Sequence, residues 1–297
     1  MDGHPLALHF SERGMKILRF PLTRLILALV FLIVFAGLGL GIGAWISKGL
    51  LGGESEVLGS AIKMLLACSF TWIGYIFYCA TVEGRKVHEL DPRKALRQTS
   101  QGLLLGFGFI SLIMMVMFLA GGYHVSGIKT AAVLLPVLIM SVQAGIVEEI
   151  LSRGIIFRIA EEGIGTWWSM VLSALIFGFL HIWNPNATFF SSVSIAITAG
   201  VILAMLYVIT RQLWVPIGLH IGWNFALGGI YGAPVSGGNP DGILDASFSG
   251  PDWLTGGAFG PEASIIMVIV FVIFGFFLIQ KSIKDKSWVK PMWRNNQ

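Results

Sequence analysis

Five polar side chains lie inside the long apolar segments of this sequence, and their types suit acid–base chemistry. They are Glu148, Glu149, His181, His220 and Asn224. Ionisable groups within a membrane span are costly, and they usually face a cavity and carry function. A carboxylate in a low-dielectric pocket can act as a general base on water, and a nearby imidazole can share the proton. Because Asn and His can also donate hydrogen bonds to an oxyanion, the set suits hydrolysis of a peptide bond without a Ser or Cys nucleophile.

The spacing of these residues assigns them different tasks. Glu149 and Arg153 are four positions apart on one predicted helix, so they can form an ion pair. That pairing leaves Glu148 as the freer carboxylate. His220 and Asn224 have the same spacing, so both can project from one helix face into the same cavity.

Two other interpretations of the polar set stay open at this point. Glu148, His181 and His220 could hold Zn²⁺ with an open position for water. Alternatively, the groups could be purely structural, with a Glu149–Arg153 pair and histidines that bond across helices. A purely structural role explains any one of these residues well. It explains the whole set less well, because three separate helices supply the polar side chains. An HExxH zinc motif is absent, since Ile follows both His181 and His220.

Composition places these residues in a membrane protein. Of the 297 residues, 55% are hydrophobic and only 12% are charged, whereas a soluble globular chain carries roughly 25% charged residues. The formal charge of +4 is modest, and the basic residues recur at the ends of apolar runs, as the positive-inside rule expects. We therefore expect a lipid bilayer as the chain's surroundings and no nucleic-acid partner.

The fold class predicted from these runs is all-α, a polytopic membrane protein with about eight transmembrane helices around a polar cavity. A spanning helix needs about 20 apolar residues. The predicted spans are 24–46, 61–82, 101–120, 130–152, 170–185, 190–210, 214–232 and 264–280. Eight spans with both termini in the cytoplasm satisfy the positive-inside rule at every connection.

The predicted organisation is one membrane domain, 24–280, between a cytoplasmic tail, 1–23, and a basic cytoplasmic tail, 281–297. The segment 233–262 is rich in Gly, Pro and Asp and is predicted to be an irregular external loop. The alternative is a lid over a cavity, since long loops without regular structure are often functional.

A helical hairpin is predicted to bring Glu148 and His181 to one level. Its turn is Gly163-Ile164-Gly165, with Glu148 16 residues before Ile164 and His181 17 residues after it. The first arm would then extend past the bilayer, with Arg158, Glu161 and Glu162 in water. Asn184-Pro185-Asn186 would break the second arm at membrane depth. This topology places the polar set toward the cytoplasmic side.

Three motifs in this order resemble the family of CAAX prenyl proteases and bacteriocin-processing enzymes, also called the CPBP or Abi family. Glu148-Glu149-Ile150-Leu151-Ser152-Arg153 fits EExxxR, Phe177-Gly178-Phe179-Leu180-His181 fits FxxxH, and His220-Ile221-Gly222-Trp223-Asn224 fits HxxxN. The resemblance covers residues 145–232. The segment Leu254–Glu262 also resembles one found in many prokaryotic members.

The resemblance implies an eight-helix intramembrane endopeptidase with a cavity open to the cytoplasm. It implies Glu148 as the water-activating base, His181 as its helper, and His220 and Asn224 as the oxyanion site. Glu149 and Arg153 would support them. Both a zinc mechanism and a glutamate-dependent, metal-free mechanism are argued for the family. We favour the metal-free one, because Asn is an unusual zinc ligand.

The function predicted from sequence is therefore an endopeptidase that cleaves a membrane-associated protein or peptide, in a prokaryotic cell membrane. The alternative is a non-catalytic membrane scaffold or a bacteriocin self-immunity protein. An ion transporter is a third reading, and inverted repeats, which would favour it, are not evident in the sequence.

Overall fold

The computed structural model describes residues 20–51, 56–239 and 241–292, and it is almost entirely helical. The predicted tail residues 1–19 and 293–297 lie outside the described residues. The helices are α1 (Pro21–Leu51), α2 (Glu56–Tyr78), α3 (Pro92–Leu119), α4 (Leu134–Glu149), α5 (Arg158–Leu180), α6 (Phe189–Ile195), α7 (Val201–Thr210), α8 (Trp214–Asn224), α9 (Asp252–Thr255) and α10 (Ile265–Lys284). Two short strands, β1 (Tyr123–Ile128) and β2 (Leu244–Phe248), pair antiparallel.

Four π-helical turns continue or join these helices. They are Cys79–Glu83 after α2, Ile150–Phe157 between α4 and α5, Ala196–Gly200 between α6 and α7, and Phe225–Ile230 after α8. Turns of this kind widen the helix locally and are frequently found at functional sites. Two of the four adjoin a helix that carries predicted site residues, α4 or α8, and a third contains Gly200, whose carbonyl accepts a hydrogen bond from Arg153.

The all-α, polytopic class predicted from the sequence is confirmed, and the chain is an integral, multi-pass membrane protein. In the described part of the chain, six helices are long and apolar enough to cross a membrane. One of them, Ala131–Trp183, has 53 residues and contains the predicted hairpin. The predicted seventh span is an 11-residue α-helix followed by a 6-residue π-turn, which is short for a full crossing. The count of eight spans therefore stays a prediction.

The hairpin folds at Gly165, where the backbone takes φ 75° and ψ 169°. This positive φ favours glycine, and a Cβ at Gly165 would lie 2.8 Å from the carbonyl oxygen of Val289. The second arm ends in a 3-10 turn at His181–Trp183, followed by Asn186 at φ 58°. The predicted turn at 163–165 and the predicted break at 184–186 are both confirmed.

The expectation that Arg158 and Glu161 lie in water was wrong. Both are buried, and Arg158 donates two hydrogen bonds of 2.8 Å to the carboxylate of Glu83, while Glu161 pairs with Arg211. Opposite charges from other segments neutralise them, so the first arm can stay inside the protein beyond Glu149. Only Glu162 of the predicted three has a half-exposed side chain.

Charged groups are concentrated at this end of the bundle, which we call the basic end (residues 83–97, 158–166, 211 and 281–292). Glu89 is buried there and receives a 2.7 Å hydrogen bond from Arg85. Burial alone would raise the pKa of Glu89, but its hydrogen bond and charge interaction with Arg85 outweigh that effect and lower the pKa. A backbone hydrogen bond from Leu213 to Glu89, 2.8 Å, then ties the start of α8 to the same cluster.

Glycines fix α8 against α3. A Cβ at Gly106 would lie 2.3 Å from the carbonyl oxygen of Leu219, and one at Gly218 would lie 2.2 Å from that of Thr99. Gly102 and Gly222 make equally close approaches. Small residues spaced four apart let helix backbones approach closely inside a membrane. This contact sets the position of α8, which carries His220 and Asn224.

The opposite end, which we call the loop end (residues 119–133 and 231–264), is more ordered than the sequence predicted. The predicted irregular loop 233–262 contains β2, α9 and two 3-10 turns. The β1–β2 ribbon was not predicted, because its strands are separated by five α-helices and their pairing is not a local signal. The segment 254–263 packs partly into the bundle, with Phe259 and Glu262 buried.

Candidate active site

Glu148 faces two imidazoles that come from different helices. Its Oε2 lies 4.0 Å from Nε2 of His181 and 3.9 Å from Nε2 of His220. The Glu148 side chain is 35% exposed, whereas both histidine rings are more deeply enclosed. The hairpin thus brings Glu148 and His181 to one level, as the sequence predicted, and α8 adds His220.

Hydrogen bonds on the far side of each ring orient the two histidines. Nδ1 of His181 lies 2.8 Å from the carbonyl oxygen of Phe177, and Nδ1 of His220 lies 2.9 Å from Oε1 of Glu149. A carbonyl and a carboxylate can only accept, so each Nδ1 must carry the hydrogen. In the neutral rings, Nε2 is then a free acceptor, and both Nε2 atoms point toward Glu148.

Glu149 is fully buried and is neutralised by two partners. Oε1 of Glu149 accepts from Arg153 at 2.8 Å as well as from His220. Arg153 is fully buried too; it donates to the carbonyl of Gly200 at 3.0 Å and lies 4.5 Å from the centre of the Phe177 ring. The carbonyl of Gly200 belongs to the π-turn after α6, and Arg153 itself belongs to the π-turn after α4.

Two cavities meet at His181 and Phe177. One has a volume of about 20 Å³, and its lining includes His181, His220, Asn224 and Glu262. This is room for about one water molecule. The other is an open cleft of about 220 Å³, lined by Glu148, Leu151, Ser152, Phe177, Leu180, His181 and Asn184. Glu148 therefore lines the larger cleft, while Asn224 lines the small chamber.

All six residues predicted for the site or its support are brought into one region. Glu148, His181 and His220 face one another directly, and Glu149 with Arg153 holds His220 from behind. Asn224 reaches the site through the small chamber that it shares with both histidines. The geometry establishes their proximity, and the catalytic roles assigned to them stay predictions.

Glu262 is the residue that sequence reasoning missed. It lies in the segment predicted to be an external loop, but it is buried and accepts a 3.0 Å hydrogen bond from the indole nitrogen of Trp223, as well as one from the backbone of Ser236. Its own carbonyl accepts from Ser194 at 2.5 Å. The sequence signal that could have revealed this burial is the Gly-rich composition of segment 254–262. In the structure, Gly256, Gly257 and Gly260 all adopt positive φ and fold the chain back into the bundle.

The fit of zinc can be tested on the donor atoms. Two ligands about 2.0 Å from one tetrahedral zinc lie about 3.3 Å apart, whereas Oε2 of Glu148 lies 3.9 and 4.0 Å from the two Nε2 atoms. Among the described residues, no group of three or more His, Cys, Asp or Glu has the spacing of a metal site. The residues as arranged do not fit a bound zinc, and we derive no catalytic step through one.

Comparisons with known proteins agree with the motifs. Residues 130–226 match the family model described as type II CAAX prenyl endopeptidase Rce1-like. YdiL of Bacillus subtilis (strain 168), which is named a candidate membrane peptidase, is 31% identical over 93 residues. That stretch is 31% of this chain and 36% of the relative, so the match spans about a third of either protein. No solved structure matches the chain.

The resemblance predicted from the three motifs is thereby confirmed over residues 130–226, the stretch that matches the Rce1-like family model. The matched region contains every residue of the EExxxR, FxxxH and HxxxN motifs. The β1–β2 ribbon and the segment with Glu262 lie wholly outside it.

The burial of Glu149 makes a prediction about stability. Glu149→Gln removes the charge that neutralises the buried Arg153, and loss of one partner of a buried ion pair costs about 3–5 kcal/mol. We expect a decrease of that size in the free energy of unfolding, measured in detergent micelles. The matched control is Glu148→Gln, whose partly exposed side chain makes no such pair, with an expected change below about 1 kcal/mol. Equal losses in the two variants would contradict the division of roles between the adjacent carboxylates.

Proposed function

We propose that this protein is an intramembrane endopeptidase in which Glu148 activates water to hydrolyse a peptide bond of a membrane-associated protein or peptide. The observation that carries the proposal is the position of the Glu148 carboxylate. It lies at an open cleft and faces the Nε2 atoms of two histidines that are fixed from behind. A structural ion pair would not need an accessible carboxylate opposite two oriented rings.

In the proposed reaction, Glu148 accepts a proton from water as the water oxygen attacks the carbonyl carbon of the substrate. His181, whose Nε2 is a free acceptor in the neutral ring, holds the water or shares its proton. The C–N bond then breaks, and Glu148 returns the proton to the leaving amine nitrogen. A general base of this kind contributes about 10²–10⁴-fold to the rate.

The oxyanion is assigned to His220 and Asn224. The amide of Asn224 has N–H donors, and His220 can donate from Nε2 when its ring carries both protons. Glu149 fixes the orientation of that ring because its buried carboxylate accepts the hydrogen bond from Nδ1 of His220. One lost oxyanion donor costs about 10²–10³-fold in kcat, so this part of the site should be as important as the base.

The surroundings of the cleft favour a substrate that reaches it along the membrane. Leu180, one of the cleft residues, is 44% exposed on the apolar surface of the bundle. A peptide segment held in the bilayer or at its surface could enter beside Leu180 without passing through the packed core. The name of the bacterial relative, a candidate membrane peptidase, is consistent with this class of substrate.

Glu148→Gln tests the proposal directly. The amide cannot accept the proton from water, so cleavage of a membrane-anchored reporter peptide should fall about 10²–10⁴-fold, while the protein still inserts and unfolds normally. Asp241→Asn, which alters an exposed carboxylate of the loop end, should leave the rate unchanged. Full cleavage by Glu148→Gln would contradict the role proposed for Glu148, whereas no cleavage by the wild-type protein would support the non-catalytic scaffold or immunity protein.

A chelator distinguishes the two mechanisms that the sequence left open. Because the donor atoms do not fit zinc, we expect purified protein to keep its cleavage rate after exhaustive chelation, with metal content followed by elemental analysis. Loss of activity that returns on addition of Zn²⁺, but not of Mg²⁺, would overturn the metal-free mechanism.

A further inference from the structure

The exposed cationic side chains of the described residues lie mostly at the basic end. They are Lys86, Arg93, Lys94, Arg97, Lys281, Lys284, Lys286 and Lys290. At the other end of the bundle, Lys48 is exposed on α1, and Lys129 is paired with Asp241 and Asp245. Short cytoplasmic connections of membrane proteins carry the excess of Lys and Arg, and acidic residues contribute little to this rule. The basic end is therefore the cytoplasmic end, which agrees with the termini predicted from sequence.

The site lies away from that end. His181 is fifteen residues beyond Thr166 at the hairpin turn, which corresponds to about 22 Å along a helix. Immediately after it, the side-chain amides of Asn184 and Asn186 donate to the carbonyls of Ser236 and Gly237 at 3.1 and 3.2 Å. His181 is therefore held directly beneath the loop end.

Exposed aromatic side chains mark both membrane boundaries. Trp167 and Trp168 are exposed beside the hairpin turn, and Trp183 and Trp253 are exposed near the loop end, with Trp183 80% exposed. Tryptophans are enriched at the two membrane–water interfaces. Since Trp183 follows His181 by two residues, the ring of His181 lies within a few Å of the boundary at the loop end.

Packing closes the other route to the site. Between the site and the basic end, Arg153, Ile155, Phe157 and Tyr207 are buried, and the guanidinium of Arg153 packs on the Phe177 ring. The cleft that holds Glu148 instead extends to Asn184, next to the loop segment. Water and peptide therefore have an open path from the loop end.

We propose that the active-site cleft opens toward the face of the membrane opposite the cytoplasm, and that its substrates are peptide segments exposed on that face. The substrate class rests on the peptidase function proposed above, whereas the orientation does not. This differs from the expectation of a cavity open to the cytoplasm. The reason is that the basic connections and the site lie at opposite ends of the same helices.

Cysteine labelling in intact bacterial cells tests the orientation without any catalysis. Ser247→Cys places an exposed thiol on β2 at the loop end, and Lys94→Cys places a matched thiol at the basic end. The native Cys68 and Cys79 are buried, so the parent chain gives the background. With a membrane-impermeant maleimide, we expect labelling at 247 in intact cells and at 94 only after permeabilisation. The reverse pattern, or equal labelling of both in intact cells, would overturn the orientation.

Two reporter substrates then test the substrate class. Each is a single-span membrane peptide with the same cleavable sequence, placed at the outer boundary in one and at the cytoplasmic boundary in the other. We expect at least ten-fold faster cleavage of the outer reporter by the wild-type protein, and none by Glu148→Gln. Faster cleavage of the cytoplasmic reporter would overturn the substrate class. Cleavage of neither would contradict the peptidase function, while the labelling result would still decide the orientation.

Discussion

A carboxylate with no access to water must be neutralised where it lies, and Glu149 meets this constraint through two partners. Oε1 of Glu149 accepts from Arg153 at 2.8 Å and from Nδ1 of His220 at 2.9 Å. Desolvating such a group costs several kcal/mol, which only close and well-oriented partners offset. The arrangement therefore requires α4 and α8 to keep one relative position. Arg153 extends the requirement to α6 and α7 through the carbonyl of Gly200.

The same constraint separates the tasks of two adjacent carboxylates. Glu149 is inaccessible and is paired through Oε1, while Glu148, one residue earlier and on a neighbouring helix face, reaches the open cleft. His220 links the two, because one ring nitrogen binds Glu149 and the other faces Glu148. The glycine contacts between α3 and α8 set the depth of that ring. A scaffold of buried charge and close helix packing thus holds the partly exposed carboxylate of Glu148 in place.

Local and pairwise signals in the sequence were sufficient to predict much of the fold and of the candidate site. Apolar runs predicted the membrane helices, four-residue spacing predicted the Glu149–Arg153 pair, and the Gly163–Gly165 turn predicted that Glu148 and His181 are level. Features that depend on distant partners were not predictable. Arg158 and Glu161 resembled solvated charges because Glu83 and Arg211, which neutralise them, are remote in sequence. Glu262 resembled a loop acid for the same reason, since Trp223 and Ser236 are known as its partners only in the folded chain.

A double-mutant cycle on the cleavage rate tests most directly whether Glu148 and His181 act on one water molecule as a unit. Groups that act as a unit in catalysis have strongly non-additive effects. We predict that the Glu148→Gln/His181→Asn double variant cleaves the reporter peptide about as slowly as Glu148→Gln alone. If the rate reductions of the two single variants instead multiply, the residues act independently and the proposed site is wrong in its central feature.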